Sequence, residues 1–124
     1  MPATVKADRR KLLDFAIEAA RFMADRRCED VLLLDVTGLS QVCDFVLIGS
    51  GTSDRQMKSV AKELENFGAE HDNPVFRSNR DNALTWVVVD FVDLVAHLFE
   101  PDQRAYYDLE GLWSDAEAVD WHRP

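Results

Sequence analysis

Three sets of residues in this chain carry groups whose spacing invites chemistry. They are Ser50-Gly51-Thr52-Ser53, the set Asp90, Asp93 and His97, and the thiols Cys28 and Cys43. The run SGTSD sits where a strand should pass into a helix, and backbone amides at a helix start attract anions. Neither the Gly-x-Gly-x-x-Gly pattern nor the Lys-Ser/Thr of a phosphate-binding loop accompanies it, so a capped tight turn accounts for it. If Asp93 and His97 lie on one strand, they are ~13 Å apart at strand rise, whereas donors to one ion lie within about 2.0–2.6 Å of it. The set is therefore not a metal site. His71 and His122 fall in loop and tail, and no nucleophile–base pair can be argued from spacing. The two cysteines lack metal-like spacing and read as reduced thiols of a cytoplasmic chain.

A Gly-Ser step before a helix is also found in nucleotidyltransferases, where a strand bearing two metal-binding carboxylates one residue apart follows. Here the segment that follows is VFRSNR, which offers none. A nucleotide-handling enzyme using Gly49, Ser50, Gly51, Thr52 and Ser53 is the alternative functional class, supported only by this short motif. No catalytic, cofactor or metal residue is assigned.

The chain has 124 residues, 47% hydrophobic and 30% charged, the make-up of one globular domain with a substantial core. No apolar run approaches the ~20 residues of a membrane span, and MPATVKADRRK lacks the apolar stretch of a secretory leader. A net charge of −9 disfavours phosphate backbones and suits basic partners, or simply keeps the chain dispersed. Little direct nucleic-acid binding is expected.

Several elements must position these groups. Residues 9–27 have helical periodicity, with Leu12, Ala16, Ala19, Ala20 and Met23 on one stripe. Residues 31–36 and 44–49 read as interior strands. Ser53 and Gln56 fit a capping box opening a helix over 54–67, with Met57, Val60, Ala61 and Leu64 inward and Gly68 as its stop. Residues 75–77 suit a short edge strand before a polar loop at 78–83. Pro101 opens one or two short helices interrupted near Asp108 or Gly111. The expected fold is a single α/β (α+β) domain at 9–113, a mixed sheet of about five strands flanked by helices. Residues 1–8 and 114–124 read as tails, the latter polar and mobile.

The stretch LTWVVVDFVDLVAHLF reads as a hairpin. Closed across Asp90 and Asp93, it sets Val88 opposite Val95, Trp86 opposite His97 and Leu84 opposite Phe99. One face then carries Thr85, Val87, Val89, Leu94, Ala96 and Leu98 and is core. The other mixes Leu84, Trp86, Val88, Asp90, Asp93, Val95, His97 and Phe99. Opposed aspartates are a liability unless arginines, solvent or a basic partner relieve them. Phe91 and Val92 at the tip are either tucked under a neighbour or part of a contact patch, and Trp86 is either core or an interface anchor.

DFVLIGSGTSDRQ, WVVVDFVDLVAHLF and PDQRAYYDLEGLW, in this order and spacing, resemble the Iojap-like ribosomal silencing factors, from the first helix to Trp113. The resemblance implies a non-enzymatic factor that binds the large ribosomal subunit through ribosomal protein L-fourteen, blocks joining of the small subunit and represses translation. It implies a nucleotidyltransferase-like architecture without the catalytic carboxylates, and homodimers occur in the family. The partner-binding positions carried over are Trp86, Asp90, Phe91, Asp93, His97 and Tyr107. The chain departs from the family pattern at Arg77-Ser78-Asn79, where Glu-Gly is common, and at Val92, where glycine is usual.

Overall fold

The computed structural model describes residues 3–80 and 85–124. The elements run α1 (Ala3–Asp25), β1 (Glu29–Asp35), β2 (Phe45–Ser50), α2 (Asp54–Glu70), β3 (Arg77–Arg80), β4 (Trp86–Asp90), β5 (Leu94–Phe99), α3 (Pro101–Tyr107), α4 (Leu109–Leu112) and β6 (Glu117–Ala118). They build one six-stranded sheet in the order β3-β4-β5-β2-β1-β6. Only β2 and β5 pair in parallel, so the expected mixed sheet is present with one more strand than anticipated. A parallel pair needs a long crossover, and α2 with the β3–β4 pair supplies it. β2 lies in the middle and is buried along its whole length.

The main core lies between one sheet face and the two long helices. Ala16, Ala19, Ala20 and Met23 of α1 and Met57, Val60, Ala61 and Leu64 of α2 pack on Leu33, Leu47, Val87, Ala96 and Leu98. Alanines along α1 let that helix approach the sheet closely. A smaller cluster fills the opposite face: Leu34, Val36, Cys43, Val46, Ile48 and Phe99, with Trp86, Leu109 and Trp113 around it. Cys28 and Cys43 are free and buried in different clusters, and burial raises both thiols, Cys28 to about 11.

The start of α2 forms as its sequence requires. Ser53 caps it by accepting the Gln56 amide at 3.1 Å, and the Gln56 side chain reaches back to the Thr52 amide at 3.1 Å. Gly68 does not end the helix, which runs to Glu70. The ring of Phe91 and the Asn73 carbonyl occupy the space any Cβ at Gly68 would need. The break between α3 and α4 is at Asp108, at φ 46°.

Four further expectations need correction. Helix α1 already runs from Ala3, so residues 3–8 are not a separate tail. The hairpin register is displaced by two: Trp86 pairs with Phe99, Val88 with His97 and Asp90 with Val95. A slip of two keeps the strand side chains on their faces, so the division into core and mixed faces stands for β4 and β5, while Asp93, now in the turn, leaves the mixed face. The position read for Leu84 lies outside the described residues. The displacement arises because the turn is Val92-Asp93, closed by the Phe91 amide on the Leu94 carbonyl at 2.9 Å. That places Phe91 in phase with Val87 and Val89, inside the core. Third, the edge strand expected at 75–77 is β3 at 77–80, so Val75 and Phe76 lie outside it and residues 78–80 are not a loop, while 81–84 lie outside the described residues. Fourth, residues 114–124 are held down. β6 pairs with β1, the Trp121 indole donates to the Val31 carbonyl at 3.2 Å, and Arg21 binds the Trp121 carbonyl at 2.6 Å. Arg123 completes the attachment on Asp25 at 2.9 Å.

Candidate protein-binding face

The sheet face away from α1 and α2 brings together Trp86 of β4, His97 and Phe99 of β5 and Tyr107 of α3. Trp86 stacks on Phe99 at 4.8 Å and meets Tyr107 at 4.8 Å, while Tyr106 stands edge-on to Tyr107 at 5.2 Å. Tyr107 is 47% exposed and Tyr106 78%. Trp86 itself is half-buried and packs against the smaller core cluster.

The Trp86 indole N–H donates to His97 Nδ1 at 3.1 Å. Indole nitrogen can only donate, so His97 must be neutral with its proton on Nε2. Burial drives this state, lowering the His97 pKa to about 4 from 6.5 against the opposing pull of Asp90. The face is thus aromatic and uncharged at its centre. Asp102 and Asp108, both exposed, flank the tyrosines.

The remaining carried-over positions are not part of this patch. Asp90 is 9% exposed; it pairs with Arg77 at 3.3 Å and accepts the Val92 amide at 2.7 Å, so it organises the turn. Asp90 does not face Asp93, and the arginine expected to relieve it is Arg77. Phe91 is 7% exposed and stands edge-on to Phe15 at 5.4 Å, on the helix side of the sheet. Asp93 also faces that side, lining a groove with Lys11, Asp14, His71 and Asp72. Its carbonyl accepts the amides of Asp44 and Phe45, tying the turn to β2. Val92, where the chain departs from glycine, has φ 78°, a conformation unfavourable for a β-branched residue.

The junction between β2 and α2 is filled by the protein's own atoms. Arg104 donates to Ser50 Oγ at 2.9 Å and to Glu110 at 2.7 Å, and Met57 packs against the Gly51 backbone. Ser50 Oγ thus serves as an acceptor that ties α3 to the end of β2. Arg104 is a member of this region that residue patterns did not single out, since no local signal existed for its contact with Ser50.

Among the described residues no helix is long and apolar enough to cross a membrane. Residues 9–123 match the family described as "Ribosomal silencing factor during starvation". Ribosomal silencing factor RsfS of Bacillus subtilis is 41% identical over 102 residues, 82% of this chain and 86% of that one. The Halalkalibacterium halodurans protein of the same name is 37% identical, over 89% of this chain and 92% of its own. Protein Iojap, chloroplastic, of Zea mays is 29% identical over 94% of this chain and 51% of its own length. A crystal structure from Bacillus halodurans superposes with a TM-score of 0.71 at 35% identity, covering 90% of this chain and 98% of that one. One from Chromobacterium violaceum gives 0.74 at 28% identity, covering 93% and 92%. Matched by the family over residues 9–123 and by relatives 37–41% identical across most of its length, the chain belongs to the ribosomal silencing factor family.

Proposed function

We propose that the chain binds the large ribosomal subunit through ribosomal protein L-fourteen and blocks joining of the small subunit, so repressing translation. The observation that carries the reading is the aromatic patch of Trp86, Tyr106 and Tyr107 on the open face of the sheet. Tryptophan and tyrosine on a rigid support are the residues that dominate protein interfaces. Asp102 and Asp108 supply a negative rim suited to a basic partner, which speeds encounter while the aromatic centre governs release. Asp90, Phe91 and Asp93 act at a remove, by shaping the β4–β5 turn. No catalytic step is assigned.

Occlusion requires that the factor bind before the subunits meet. In sucrose gradients of purified subunits, protein added first should leave large and small subunits apart, and protein added to joined ribosomes should act weakly. Equal binding to joined ribosomes and free large subunits, with joining unaffected, would refute the mechanism. A homodimer, if formed through the aromatic face, should dissociate when the large subunit is added, readable by sedimentation velocity.

A further inference from the structure

Among the described residues the acidic chain carries a basic surface on the helix side of the sheet. Seven arginines of the described residues each sit in an ion pair with a carboxylate. The basic side chains of Arg27, Arg55, Lys58 and Lys62 have no such partner among the described residues, and all four are exposed. Three of them fall at i, i+3 and i+7 of α2, hence on one helix face over ~10 Å. They line a shallow groove of about 500 Å³ together with Ser59 and Glu63. Glu63 is neutralised by Arg26 at 2.9 Å, leaving Asp54 in the first turn as the other acid at that end. The Gln56 side chain donates to the Arg26 carbonyl at 2.9 Å, which sets the turn bearing Arg27 against the first turn of α2.

The geometry points to a phosphate-backbone contact here: the face of α2 bearing Arg55, Lys58, Ser59 and Lys62 docks on duplex RNA. Cations and a hydroxyl in a row are the groups that hold phosphate oxygens. The groove has no aromatic lining on which unstacked bases would rest, which favours a duplex over a single strand. The overall charge of −9 does not forbid it. Screening over ~8 Å at physiological salt lets a local basic surface act on its own, and the net charge keeps the contact weak and non-specific. For its biological RNA the inference rests on the ribosomal reading; its chemistry does not.

The test is fluorescence anisotropy of a labelled 20-base-pair RNA duplex with the full chain, across a salt series. Three phosphate contacts predict a log–log salt slope of about −2.7, or roughly 40-fold weaker binding from 50 to 200 mM salt. The triple variant Arg55→Gln, Lys58→Gln, Lys62→Gln should lose at least ten-fold in affinity at 50 mM and flatten the slope, with an unchanged melting curve. Lys58→Arg with Lys62→Arg should bind as the native chain does. Tyr107→Ala, on the opposite sheet face, should leave duplex binding intact. An unaltered slope in the triple variant, or no binding at 50 mM salt, overturns the inference. Displacement of the duplex by polyglutamate at equal charge overturns it too, in favour of an acidic protein segment. If duplex binding behaves as stated while large subunits are not bound, the ribosomal reading fails and the basic groove stands.

Discussion

The two faces of the sheet are covered to different depths. On one, α1 and α2 bring 40 helical residues across the strands, and the residues between are almost wholly excluded from water. On the other, α3 and α4 contribute 7 and 4 residues with none buried, so Trp86 and the two tyrosines are left at the surface. Apolar area removed from water stabilises the fold in proportion. Apolar area left at the surface, rimmed by charge, is what a partner can still cover. One side of the sheet is therefore closed by helices and the other left open, and substitutions on the two sides should separate in kind.

The largest effect belongs to the closed side. Leu64→Ala leaves a cavity beneath α2 and should cost about 2–5 kcal/mol of unfolding free energy. Urea denaturation measures it, and the surviving folded protein should bind large subunits normally. A loss below ~1 kcal/mol would mean that this face is less tightly closed than its burial indicates.

Next is the pH dependence of the open side. His97 is neutral when folded, its pKa held near 4 by burial against 6.5 unperturbed. The unfolded chain therefore binds the extra proton first, and stability falls as pH drops from about 6.5 to 4. The loss is on the order of 3 kcal/mol across that window, with no further loss from this group below it. Equilibrium denaturation at stepped pH gives the curve, and His97→Gln should flatten it. An unchanged curve in that variant would place the titration elsewhere.

Tyr107→Ala should reverse the pattern of Leu64→Ala. Binding to large subunits should weaken by about 2 kcal/mol, the scale of an interface hot spot, with a smaller stability change. Trp86→Ala, half-buried between core and surface, should register in both assays. If Tyr107→Ala melts early yet binds with native affinity, the open face is merely an exposed part of the core.

The smallest effect sharpens the geometry of the turn joining the two faces. Val92 has φ 78°, where glycine fits without a Cβ clash. Val92→Gly should stabilise the protein by roughly 0.5–1 kcal/mol, because the relief of ~1–2 kcal/mol is partly offset by the entropy of glycine in the unfolded chain. A melting-temperature rise of a few degrees is the expected readout.

Local patterns were sufficient for much of the architecture. Periodicity located both long helices and the interior strands, Ser53 and Gln56 marked the start of α2, and alternation in 85–99 separated core from mixed face. These features depend on neighbours within a turn or a strand pair, which the residue order alone specifies. The resemblance of three blocks also identified the family before any geometry was known. What lay beyond the sequence were contacts between distant segments. Phe91 is inward because the turn moved by one residue to bury it against Phe15 and Gly68. Asp93 consequently left the face on which it was expected. Ser50 is occupied by Arg104, 54 positions later, and residues 117–121 attach to β1 because Arg21 and Val31 offer hydrogen bonds to them. Each outcome was chosen by packing and by satisfaction of buried polar groups over the whole fold, quantities that no local stretch of sequence contains.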